Sequence, residues 1–223
     1  DKFALVTNYF YLSVENEQLA AQNLQLLRKQ NRMAAPGSAA KPDTSYKYYS
    51  ASVINNTVNK SHNFLTLDKG KADGLHKDMA VISPSGVVGI VSNVSTNYAR
   101  VISLLNKSLG ISGKIKKNGY FGSVRWEGLN ARRISLHEIP DYVDVIQGDT
   151  IITSGYSAIF PEGIPIGVVE ETRAIKGKDF LDIQLRLVVD FRRLKHVFLI
   201  DAAGQEERRQ LETESKAGLS GTQ

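Results

Sequence analysis

The chain has 223 residues, of which 23% are charged and 42% hydrophobic, with a net charge of +5 and no cysteine. That balance belongs to a folded protein with room for one large or two small domains. Lack of cysteine excludes a disulfide framework, a thiolate zinc site and a cysteine nucleophile, and the scattered lysines and arginines argue against a nucleic-acid partner. No apolar run approaches the roughly 20 residues that a membrane helix needs, and no signal-peptide pattern is visible.

The first thirty-odd residues read as a helix. Leu5, Leu12, Leu19 and Leu26 recur every seven residues and are taken as d positions, which makes Tyr9, Asn16, Asn23 and Gln30 the a positions. A single amphipathic helix docked on the globular part is the plainer alternative. The narrow apolar stripe argues against it, because Asn16 and Asn23 are hard to bury on a domain. In a parallel two-stranded coil they can bond to each other across the axis and fix the register at a cost in stability. Residues 1–33 are therefore expected to form a coiled-coil helix that dimerises through Leu5, Tyr9, Leu12, Asn16, Leu19, Asn23 and Leu26. Residues 34–45 include Ala34-Ala35-Pro36-Gly37-Ser38 and have nothing to bury, so they read as a linker.

From Tyr46 the period becomes two. Tyr46, Tyr48, Ser50 and Ser52 face one way and Lys47, Tyr49, Ala51 and Val53 the other, without a cleanly apolar face. The stretch from Asn63 to Leu105 organises the rest of the chain. Asp68-Lys69-Gly70 and Ala72-Asp73-Gly74 supply turns, Met79 to Ile82 an apolar strand, and Gly86 and Gly89 bracket Val87 and Val88 at a spacing that suggests close backbone approach in a small curled sheet. Arg100 to Leu105 is another strand. Residues 110–126 read as a hairpin turning at Lys117-Asn118-Gly119. Arg133 to Ile139 alternates Ile134, Leu136 and Glu138 against Ser135, His137 and Ile139, and Pro140 stops the pairing.

The region from Val145 repeats an earlier theme. Gly148 to Ile152 followed by Gly163 to Val169 parallels Asp78 to Ile82 followed by Gly86 to Val91, which predicts two related small barrels. Leu181, Ile183, Leu185, Leu187, Val189 and Phe191 alternate with polar residues as a half-buried strand, with Val197 to Ile200 its expected partner. Residues 202–223 read as a tail.

Catalytic chemistry is thinly represented. His62, His76, His137 and His196 lie far apart and lack metal-ligand spacing, so no cofactor or metal is expected. A chymotrypsin-like hydrolase would need Ser154 or Ser157 as nucleophile, yet neither has the sequence context of one. No phosphate-binding loop occurs. The aromatic residues Tyr120, Phe121 and Trp126, beside Lys114, Lys116 and Lys117, instead suggest a protein-binding hairpin, with core packing as the plainer reading for Trp126.

Two ordered blocks carry a family resemblance. Asn63 to Gly70 with Asp73 to Val81 and Gly86 to Val91 forms the first; Thr153-Ser154-Gly155 with Phe160-Pro161-Glu162-Gly163-Ile164-Pro165-Ile166-Gly167 forms the second. Together they resemble the MreC family of bacterial cell-shape proteins over roughly Tyr46 to Asp201. The match departs at Tyr156-Ser157-Ala158, where the family more often has small residues, and at Asn106, where an acid is common.

The resemblance implies a non-catalytic scaffold of the rod-shape system that organises peptidoglycan synthesis. Its implied partners are MreD and the elongation-specific penicillin-binding transpeptidase, in concert with RodA, RodZ and actin-like MreB. It also implies a single transmembrane helix upstream of Asp1, holding this region outside the cytoplasm at the bacterial inner membrane. An envelope hydrolase and a peptidoglycan-binding module are the alternatives.

The expected fold is mainly β with an N-terminal coiled-coil helix and two small β-barrels, one inserted in the other. The first barrel is drawn from residues 46–86 and 146–201, the second from 87–145. Partner binding is assigned to Tyr120, Phe121, Trp126, Lys116 and Lys117.

Overall fold

The computed structural model describes residues 46–202, apart from positions 129, 158, 175, 176 and 178. The predicted coiled coil, the linker and residues 203–223 lie outside the described residues.

Short β-rich segments joined by tight turns cannot leave their backbone groups unpaired, and closing a sheet on itself satisfies all of them at once. Two closed barrels result. The first contains β1 (Tyr46–Asn56), β2 (His62–Leu67), β3 (Ala80–Ser83), β4 (Gly86–Val94), β5 (Ala99–Asn106) and β12 (His196–Ala202), in the order β1-β12-β3-β4-β5-β2. The second contains β6 (Gly110–Ile115), β7 (Phe121–Arg125), β8 (Arg133–Pro140), β9 (Thr150–Thr153), β10 (Pro165–Ala174) and β11 (Phe180–Leu187), in the order β10-β11-β8-β7-β6-β9. Every strand pair is antiparallel. Each barrel is filled by aliphatic side chains such as Leu65, Val91 and Val101 in the first and Ile151, Ile183 and Leu185 in the second, all buried.

All six strands of the second barrel fall between β5 and β12, so the second barrel is an insertion into the first. Its limits differ from the sequence expectation. Residues 87–106 belong to the first barrel and 150–187 to the second, and β11 pairs with β10 and β8 rather than with β12. The reason is local. β3 turns into β4 through Pro84-Ser85, and β4 returns into β5 through Ser95, whose N–H donates to the Tyr98 carbonyl (2.8 Å). Strands joined by short turns pair with each other, and alternation alone does not name the neighbour. In β8 the expected alternation breaks at a bulge: Glu138 takes φ 68°, and Ile139 returns to the interior, fully buried.

The repeat seen in the sequence is repeated in hydrogen bonds. Asp78 N–H donates to the Val91 carbonyl (2.9 Å) and Val91 N–H to the Met79 carbonyl (3.0 Å). Gly148 N–H donates to the Val169 carbonyl (2.9 Å) and Val169 N–H to the Asp149 carbonyl (2.8 Å). A register shift follows each valine, between Val91 and Asn93 and between Val169 and Glu171. Read from β12 and from β6, the two walls run β12-β3-β4-β5-β2-β1 and β6-β9-β10-β11-β8-β7. The pairing is the same, but the strand that comes last in the first barrel comes first in the second. The second barrel is thus a circular permutation of the first.

Two residues before each of those valines stands a glycine with no room for a side chain. A Cβ on Gly89 would lie 2.1 Å from the Ile102 carbonyl oxygen, and one on Gly167 would lie 2.8 Å from that of Arg186. Gly89→Ala is therefore expected to cost about 3 kcal/mol or more, since overpacking must move backbone. Gly119 sits at φ 79° with open space around it, so Gly119→Ala should cost only about 1–2 kcal/mol for the left-handed conformation. Urea denaturation at constant m-value checks the order, with Gly167→Ala between the two.

Candidate functional site

The β6–β7 hairpin is built as the Asn-Gly turn predicts. Gly119 N–H donates to the Ile115 carbonyl (2.9 Å), and Ile115 N–H to that of Tyr120 (2.8 Å). Its tip is fastened to the segment that comes after β8. Lys117 Nζ reaches Asp144 Oδ2 (3.0 Å) and Asp149 Oδ2 (2.9 Å), and Asn118 Nδ2 donates to the Asp144 carbonyl (3.3 Å). Asp149 Oδ2 also accepts from Ile146 N–H (2.9 Å). Hydrogen bonds from Lys117 to Asp149 and then Asp144 hold its ammonium above the ordinary lysine value.

Large apolar side chains stand out from this fastened frame. Tyr120 and Tyr142 meet edge to face with ring centres 6.3 Å apart, and Phe121 and Tyr156 do so at 4.8 Å. Phe121 is 54% exposed, Tyr142 75% and Tyr156 70%. Of the eight exposed large hydrophobic residues described, six lie in the second barrel: these four with Ile146 and Phe180. Most of the exposed large apolar side chains among the described residues therefore belong to the inserted barrel and its loops.

The predicted site residues fare differently. Tyr120 and Phe121 are exposed, and Lys116 is exposed beside them. Trp126 is not part of the face: it is 4% exposed and its indole N–H donates to the Asn130 carbonyl (2.8 Å), which places it in the core. The basic run is largely neutralised, Lys117 by its two aspartates and Lys114 by Glu162. Sequence reasoning missed Tyr142 and Tyr156. The available signal was a large aromatic set within turn chemistry, after Pro140 and between Gly155 and Ser157.

The motif residues prove to be joints. Asn63 is fully buried and donates to the carbonyls of Lys60 and Leu105 (both 2.7 Å), while Asn106 donates to the Asn63 carbonyl (3.1 Å). Asp68 exchanges hydrogen bonds with the Ser52 backbone (2.7 and 3.1 Å). Asp73 accepts from Gly70 N–H and from Lys69, both at 3.0 Å, and these hold its carboxyl below the ordinary value. Thr153 donates to the Pro161 carbonyl and accepts from Ile164 N–H (2.9 Å), folding the second block back on itself.

Ser154, the hydrolase candidate, is buried, and its hydroxyl donates to Ser112 Oγ (2.7 Å) rather than to a histidine. His137 faces Glu127 (3.1 Å) and His76 faces Asp201 (3.2 Å). Among the described residues no group of three or more histidines and acids could hold a metal, and no helix is long and apolar enough to cross a membrane.

Comparison with known proteins decides the family. The description "Rod shape-determining protein MreC, barrel core" matches residues 53–201. The chain belongs to the MreC family. The cell shape-determining protein MreC of Listeria monocytogenes is 31% identical over 134 residues, covering 59% of this chain and 45% of that protein. The chain thus spans less than half of that relative's length. The crystal structure of MreC from Pseudomonas aeruginosa superposes with a TM-score of 0.66 at 27% identity, covering 70% of this chain and 99% of that one. A structure described as a complex between penicillin-binding protein PBP2 and MreC from Helicobacter pylori shares the fold (TM-score 0.57, 18% identity, 71% and 99% covered).

The contrast within the hairpin is testable. Trp126→Ala should cost about 3–5 kcal/mol of folding and Phe121→Ala under about 1 kcal/mol, measured by urea denaturation. The Lys117 tether has a pH signature. Its folded pKa is raised, so its stabilisation is complete below the unfolded lysine value and is lost as pH rises through the folded one. Wild type should lose stability relative to Lys117→Met across that alkaline window, and the two should run parallel at neutral pH.

Proposed function

We propose that this chain is the extracytoplasmic part of a membrane-anchored, non-catalytic scaffold of the cell-elongation machinery, and that the aromatic face of its second barrel receives a penicillin-binding transpeptidase. The observation that carries the docking site is the exposure of two aromatic pairs, Tyr120 with Tyr142 and Phe121 with Tyr156, formed between the hairpin and neighbouring loops. Burial of such rings drives association, and a rigid barrel keeps the ordering cost low. The choice of partner is supported by family membership and by the complex of PBP2 with a protein of the same fold.

The wider assignment rests on the family. On that support the chain is read as held at the inner membrane through one upstream helix and working with MreD, RodA, RodZ and MreB. Dimerisation is assigned to the heptad leucines Leu5, Leu12, Leu19 and Leu26, with Asn16 and Asn23 setting register, and membrane anchoring would raise the effective concentration enough for a weak coil to suffice.

Docking is tested by titrating a transpeptidase ectodomain from the same organism against variants of known stability. Tyr120→Ala and Phe121→Ala should each weaken binding about tenfold or more, with unfolding midpoints near wild type. Tyr98→Ala, an exposed aromatic change on the first barrel, should leave affinity unchanged. Normal binding by both hairpin variants while folded removes the face from consideration. For the coil, Asn16→Leu with Asn23→Leu should tighten self-association in equilibrium ultracentrifugation, and a strictly monomeric chain in both forms rejects the dimer.

A further inference from the structure

A second feature of the inserted barrel shares Phe121 with the aromatic pairs and adds a charged chemistry. A cleft of about 370 Å³ opens where the first barrel's β5 passes into β6. Phe121, Lys107 and Arg125 are among the residues that line it. Among the described residues neither cation is in an ion pair, whereas Lys114 and Lys117 have carboxylate partners.

Each cation lies across a glycine. The aliphatic stem of Lys107 lies where a Cβ on Gly128 would be, 2.1 Å from its Cε. Arg125 crosses Gly110, its cross-strand partner, and its Nε donates to Ser123 Oγ (3.0 Å), which leaves the outer guanidinium N–H groups free for a planar oxyanion. Glu138 also lines the cleft. The β8 bulge turns it there at φ 68°, and Gly122 makes room for the bulge, since a Cβ would sit 2.0 Å from the His137 carbonyl.

We propose that this cleft binds an acidic peptide segment of a partner protein, with carboxylates on Lys107 and Arg125 and an adjoining apolar side chain on Phe121. A closed barrel offers no strand edge, so a peptide cannot be taken up by strand addition and must be held by its side chains. Glu138 selects against a uniformly anionic polymer, which it repels, and favours a peptide that offers N–H donors between its acids. The contact goes beyond the docking proposed above: it depends on charge at Lys107 and Arg125, not on the Tyr120 ring.

The test uses the isotope-labelled full chain and an N-acetylated, C-amidated probe peptide, Glu-Asp-Leu-Glu-Gly, with a twin carrying lysine at every acid. The acidic probe should shift the amide signals of Gly110, Gly122 and Ser123 saturably, with affinity falling as salt is raised. Lys107→Glu combined with Arg125→Glu should weaken the probe about tenfold or more at an unchanged unfolding midpoint, and the lysine twin should leave those signals in place. Should the charge-reversed chain fail to fold, Lys107→Gln and Arg125→Gln singly should each weaken the probe severalfold. No saturable shift, equal binding of the twin, or binding indifferent to these substitutions overturns the proposal. Inorganic phosphate displacing the probe at equal concentration also overturns it, in favour of a simple anion site.

Discussion

Pairing of β1 with β12 is the constraint on which the rest of the molecule depends. Seven consecutive residues, Tyr46 to Ser52, face Ala202 to His196 and close the first barrel. β12 also pairs with β3, so without it β1 and β3 would each expose an edge. The closing strand comes after the whole of the second barrel in sequence. The first barrel therefore waits for contacts between residues some 150 positions apart, and closure of so long a loop is entropically slow. The second barrel is contiguous in the chain and faces no such wait. The order this implies, inserted barrel first and enclosing barrel last, comes from connectivity alone.

The permutation accompanies the insertion. When β12 is separated from β5 by an entire domain, the corresponding strand of the inserted unit, β6, comes first rather than last. The two walls still share their pairing, their bulges after Val91 and Val169, and their side-chain-free crossings at Gly89 and Gly167. Close packing joins the barrels: a Cβ on Gly86 would lie 2.2 Å from the Pro165 carbonyl oxygen and 2.8 Å from Val188 Cγ2. The β10 segment that the sequence motif marks as Ile164-Pro165-Ile166-Gly167 is thus both a wall of one barrel and a bearing surface for the other.

Sequence was most readable where the physics is local. Gly119 specified its hairpin turn because few other residues adopt its φ of 79°, and Leu181 to Leu187 alternated because one face is buried. The limits of the barrels were not readable, because an alternating strand does not carry the name of its neighbour. Trp126 could not be assigned to core or surface from period, since it comes just after the last residue of β7 and its partner, the Asn130 carbonyl, is set by the next turn. Lys117 looked like a free cation because Asp144 and Asp149 lie 27 and 32 residues further on. Tyr142 and Tyr156 stayed invisible for the same reason: each matters through a ring on another segment.

Closed barrels narrow the ways in which this chain can work. With every strand paired on both sides, backbone recognition is closed off and specificity passes to side chains on the outer wall. Those side chains are unevenly distributed. Among the described residues the first barrel shows Ile54 and Tyr98 as exposed large apolar residues, while the inserted barrel shows six and has the two cations without ion pairs at its junction. The enclosing barrel thus holds the first and last described strands, β1 and β12, side by side, and the inserted barrel carries most of the exposed large apolar side chains described.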